Sequence, residues 1–147
     1  MMIKELVDQA SSVNLFTRPR RFGKTLTLSM VRTFFEDERN YEGEKIDNSR
    51  YFEGKKIMDA GEKYTSELGQ YPVIKLSLKS AKQPDYDRAY NCLRNEIIDE
   101  FDRHQYVLGG DRLSEAEKDN FRRILDKTAE PGEYETVLKR LSFYLKK

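Results

Sequence analysis

Eight consecutive residues, Arg18-Pro19-Arg20-Arg21-Phe22-Gly23-Lys24-Thr25, combine the groups needed to hold a polyphosphate. A glycine lets backbone approach a phosphate with no Cβ in the way. Lys24 supplies a point charge suited to bridging β- and γ-phosphates. Thr25 supplies a hydroxyl for Mg²⁺, an ion that keeps several waters and takes few protein ligands. The segment fits the Walker A pattern G-x-x-x-x-G-K-[ST] at every defined position except the first, where Arg18 stands in place of Gly. Pro19 partly compensates, because it restricts the loop and disfavours helix at Arg18. The expected nucleotide contacts are Arg18, Pro19, Arg20, Arg21, Phe22, Gly23, Lys24, Thr25 and Leu26, with Thr25 also facing the metal.

A phosphate loop of this kind must lie between a strand and a helix. Residues 13–16, Val-Asn-Leu-Phe, form a short apolar strand candidate before it. After it, a helix from Lys24 to about Phe35 spreads Leu26, Leu28, Met30, Val31, Phe34 and Phe35 nearly all round its axis, which predicts burial on most faces. A short amphipathic helix over 1–10, with Ile3, Leu6 and Val7 on one side, precedes the strand. A polar loop covers 37–51, and a helix is expected over 55–68 with Ile57, Met58, Tyr64 and Leu68. Residues 72–78 alternate, with Ile74, Leu76 and Leu78 on one side, and read as a second strand. Three helices complete the chain: about 85–105, one starting at Ser114 with a capping box to Glu117, and one after Pro131-Gly132. Strand, helix, strand, helix order indicates an α/β domain with parallel strands.

Other candidates carry less chemistry. Arg18, Arg20, Arg21 and Lys24 could form a nucleic-acid patch, but the adjoining apolar strand would bury part of it. Glu36, Asp37 and Glu38 lie three turns from Thr25 and read as a solvated helix end, as do Asp99, Glu100 and Asp102 on the polar side of their helix. Cys92 and His104 are the only residues of their kinds, so neither a disulfide nor a Cys-based metal site can form within the chain. Cys92 reads as a core-edge residue and His104 as favouring a helix C-terminus.

The 147 residues suffice for one ordinary domain. Lys plus Arg (27) nearly cancel Asp plus Glu (26), so no global charge argues for a nucleic-acid or membrane partner. No apolar run is long enough to span a bilayer, and a reducing, cytoplasmic setting is expected.

The run Leu15-Phe16-Thr17 leading into the loop, and Leu26 with Leu28-Ser29-Met30-Val31 after it, resemble the predicted AAA-ATPase-like proteins of bacteria and archaea. In those proteins a P-loop domain is often followed by a nuclease-like region. Tyr51-Phe52-Glu53-Gly54 and residues 71–78 resemble family segments too. The resemblance makes the Arg18 form of the loop a family trait, and implies ATP with Mg²⁺ as the ligand. It implies a partial P-loop NTPase fold, α/β with few parallel strands, flanking helices and a helix-rich C-terminal half. One truncated domain over 1–147 is expected, with its strand-loop-helix core at 13–36. Family members carry an acidic Walker B strand after the last helix and an aromatic-Asp-Lys-Thr motif before the position of Met1. The chain is therefore expected to be clipped at both ends and to bind ATP without hydrolysing it alone. Two unpaired strands would favour a homodimer by strand pairing or swapping. The alternative is a non-enzymatic interaction module whose basic loop contacts a protein or nucleic acid.

Overall fold

The computed structural model describes residues 2–9, 13–17, 19 and 23–147. They fall into two compact units, one of Met1–Glu38 with Lys45–Val73 and one of Arg39–Glu44 with Ile74–Lys147.

In the first unit, α1 (Met2–Gln9) and α2 (Lys24–Phe35) supply the main helices. Phe34, at the last turn of α2, is fully buried and is met edge-on by Phe35 and Phe52, each at 5.1 Å between ring centroids. Ile3, Ile57 and Tyr64 complete this core. Edge-to-face packing of aromatics adds about 0.5–1.5 kcal/mol per pair beyond area burial, so the unit is organised around Phe34. The helix expected over 55–68 is broken. A 3-10 turn (Met58–Ala60) gives way at Gly61, whose φ of 109° and ψ of 166° suit glycine almost alone, and α3 runs only over Glu62–Thr65. Tyr64 donates to the carboxylate of Asp8 on α1, which ties the two helices together.

The second unit is helical. Its α4 (Tyr86–Arg103) starts at Asp85, whose side chain accepts from the Arg88 amide at 2.9 Å. Its α5 (Glu115–Leu125) starts at the capping box expected from sequence: Ser114 Oγ accepts from the Glu117 amide and Glu117 accepts from the Ser114 amide. A 3-10 segment (Pro131–Thr136) leads into α6 (Val137–Lys146), which buries Val137, Leu141 and Tyr144 at helical spacing. Phe101 of α4 and Phe121 of α5 meet at 4.7 Å in the centre of this core.

The expected α/β sheet is not formed. Among the described residues the structure is helix-rich with no strand, and isolated bridges, among them the parallel one between Glu36 and Tyr71, stand in place of a ladder. Around it the Gly69 and Tyr71 amides donate to the carbonyls of Phe34 and Phe35, and Asp37 donates to Tyr71. An alternating segment becomes a strand only when a neighbouring strand takes its N–H and C=O groups. Residues 13–17 are exposed and carry no strand. In 73–78 the Lys75 amide is taken by a helix side chain, the carboxylate of Glu100 at 2.8 Å. Ile74 packs on the core of its unit, whereas Leu78 is exposed. The parallel-strand P-loop architecture is therefore replaced by helices and irregular segments.

The burial expected of α2 is likewise corrected. Phe34 is the one α2 residue that is fully buried, and Leu26, Leu28 and Met30 are 76, 51 and 40% exposed. Apolar side chains all round a helix bury on all sides only where a sheet or other helices cover it.

Candidate functional site

Gly23 is the N-cap of α2 and adopts φ 70°, ψ 25°, the left-handed conformation. Its carbonyl accepts the first helical hydrogen bond, from the Thr27 amide at 2.8 Å. The amides of Lys24, Thr25 and Leu26 precede that bond and so have no acceptor within the helix. No side chain caps this end, and its first turn carries no acidic residue. The end of a helix in this condition presents donors and about half a positive charge to an anion. No atom lies within 4 Å of where a Cβ on Gly23 would stand. The glycine is needed for its backbone conformation, which costs other residues about 1–2 kcal/mol, and not for space.

Lys24 and Thr25 are exposed in the first turn, with Leu26 beside them. Pro19 is exposed as well. Arg18, Arg20, Arg21 and Phe22 lie outside the described residues. The structure thus brings together the glycine, the lysine, the threonine and the uncapped amides. These residues fit a phosphate group, and the Thr25 hydroxyl fits a metal that is mainly coordinated by water and phosphate oxygens.

The carboxylates of α2 lie at its other end, eleven residues and roughly 16 Å from Thr25. They are not the solvated cluster expected. Glu36 is 1% exposed and bound to Arg32 Nε at 2.7 Å, and Glu38 accepts from Asn48 Nδ2 at 2.7 Å. No group of three or more metal-ligating side chains occurs among the described residues.

A groove of about 580 Å³ runs along α2 from its first turn. Leu26, Met30 and Thr33 form one wall at helical spacing, and Arg50 and Tyr51 stand on the other. Sequence reasoning missed this feature, since it depends on the 46–52 segment turning back alongside α2. In the second unit it also missed a buried polar cluster. Glu100, 5% exposed, accepts from Arg103 Nη2 at 2.5 Å and lies 3.3 Å from His104 Nε2, while His104 Nδ1 is 3.3 Å from the Tyr106 hydroxyl. The i, i+3 and i+4 spacing of Glu100, Arg103 and His104 was the available signal. Asp99 and Asp102 are exposed, as expected. Cys92 is free and half-buried, and His104 ends α4.

No described helix is long and apolar enough to cross a membrane. The family model described as Predicted AAA-ATPase matches residues 1–138, and the chain belongs to that family. No curated protein and no solved structure gives a match.

Proposed function

We propose that this chain binds the phosphates of a nucleotide as its Mg²⁺ complex, at the loop that ends in Gly23 and opens α2. The observation that carries this reading is the left-handed Gly23 N-cap, which leaves the first-turn amides uncapped directly beside exposed Lys24 and Thr25. Membership of the predicted AAA-ATPase family supports it and favours ATP. Lys24 neutralises β- and γ-phosphate charge, the amides of Lys24, Thr25 and Leu26 donate to phosphate oxygens, and Thr25 offers its hydroxyl to Mg²⁺. Binding is the activity these residues account for. Hydrolysis requires a positioned water and a metal held by acidic groups, and the carboxylates of α2 are engaged with Arg32 and Asn48 at the opposite end.

Calorimetric titration of the purified chain with ATP, with and without Mg²⁺, tests the reading. Saturable binding that Mg²⁺ strengthens several-fold is expected, and Thr25→Val should remove most of that strengthening. Binding of any polyanion alike, falling steeply with salt and indifferent to Mg²⁺, would instead favour an interaction module built on the basic loop.

A further inference from the structure

We infer that residues 74–78 are an open strand edge on which a second copy of this chain docks, the same five residues pairing antiparallel across a two-fold axis. All five belong to the second unit, so the phosphate loop plays no part in it. They carry no turn, bend or helix, and half-buried Ile74 and Leu76 alternate with exposed Lys75 and Ser77. A two-residue period is that of extended backbone. The Lys75 amide is directed at α4, where Glu100 takes it at 2.8 Å. Successive amides of an extended chain point to opposite edges, so those of Ile74, Leu76 and Leu78 face away from that carboxylate. None of the three meets an acceptor among the described residues. The carbonyls of Ile74 and Leu76 accept no hydrogen bond there either, whereas that of Leu78 accepts from the Ala81 amide at 3.2 Å. A row of unpaired groups of this kind is a template for another strand.

The order of side chains is what fits a second copy. Pairing centred on Leu76 sets that residue against its own copy and Ile74 against Leu78 on one face, with Lys75 against Ser77 on the other. Apolar then meets apolar, and no lysine faces a lysine. Centring one residue earlier sets Lys75 against Lys75, and one residue later sets Lys75 against Lys79. Like charges directly opposite are destabilising, so both neighbouring registers are disfavoured. In the favoured one, Leu76 and its copy exchange two hydrogen bonds, and each Leu78 amide donates to the Ile74 carbonyl across the axis. Leu78, 70% exposed, gains an apolar neighbour. A two-stranded ladder alone is marginal in water, but packing against helices supports it, and Ile74 already rests on the helical core of its unit.

Sedimentation equilibrium of the unaltered chain should give a monomer–dimer equilibrium. Amide exchange followed across the same concentrations should show Leu76 and Leu78 slowing as the dimer forms. The Lys75 amide, held by Glu100, should exchange alike throughout. Ser77 is exposed, so a charge placed there leaves the fold intact. Two-fold symmetry repeats the Lys75–Ser77 pair. Ser77→Glu should therefore tighten the dimer about fivefold and Ser77→Lys weaken it about fivefold. A chain that stays monomeric at millimolar concentration overturns the proposal. So does a dimer whose Leu76 and Leu78 amides exchange at the monomer's rate, or one that both Ser77 variants shift in the same direction.

Discussion

Lys24→Ala should weaken Mg-ATP binding by about a hundredfold or more without lowering the unfolding midpoint. A charge-assisted hydrogen bond contributes about 1.5–3 kcal/mol, and Lys24 is placed to reach two phosphates at once. A loss of 2.7 kcal/mol corresponds to about a hundredfold in affinity. The side chain is exposed in the first turn of α2, so its removal leaves packing intact. Alanine is also the better helix former at that position. Lys24→Arg should recover part of the affinity, because it restores charge but replaces a compact ammonium with a planar fork. Calorimetry on the three proteins, with thermal melts alongside, separates these effects. Affinity that is unchanged in Lys24→Ala would remove the lysine from the site.

The largest stability effect is expected at Glu100. Burial would push its carboxyl up, but hydrogen bonds from His104, Arg103 and the Lys75 amide, with the charge of Arg103, outweigh burial and bring it down to about 2. Removing one member of a buried ionic cluster costs about 3–5 kcal/mol. Glu100→Ala leaves Arg103 without this carboxylate and the Lys75 amide without its acceptor. It should therefore destabilise the chain by about 3–5 kcal/mol at pH 7. The pH dependence carries a definite sign. A carboxyl held below its ordinary value of 4.5 stabilises the fold fully above that pH and loses its contribution as the pH falls toward about 2. The shift corresponds to about 3–4 kcal/mol. Urea unfolding of the unaltered chain and Glu100→Ala at pH 7 and pH 3 should show the gap shrinking markedly at the lower pH. The same gap at both would mean the carboxylate's charge contributes little.

Local signals in the sequence were legible where local chemistry decides the outcome. The Ser114–Glu117 box starts its helix as the capping pattern requires. Gly61 carried the break between the 3-10 turn and α3, yet the apolar spacing of Ile57, Met58, Tyr64 and Leu68 suggested a continuous helix. The strands failed for a different reason. Alternation in 73–78 reports an extended, half-buried segment, but pairing is a property of two segments, and here Glu100 takes the Lys75 amide. Burial of Glu36 and Glu100 was hidden because charge runs usually face water; Arg32 and Arg103, one turn away, offset the desolvation. Of the proposed site, the glycine, lysine and threonine rest on the Walker A-like spacing of the sequence. The left-handed N-cap and the groove were not readable there, because each depends on backbone path.

Amide chemical shifts test the central claim most directly. Titrating Mg-ATP into ¹⁵N-labelled chain should move the Gly23, Lys24, Thr25 and Leu26 amides most, while Phe121 and Leu141 in the core of the other unit stay near their free positions. Large shifts confined to residues away from the start of α2, or no shifts at millimolar nucleotide, would contradict phosphate binding at this loop.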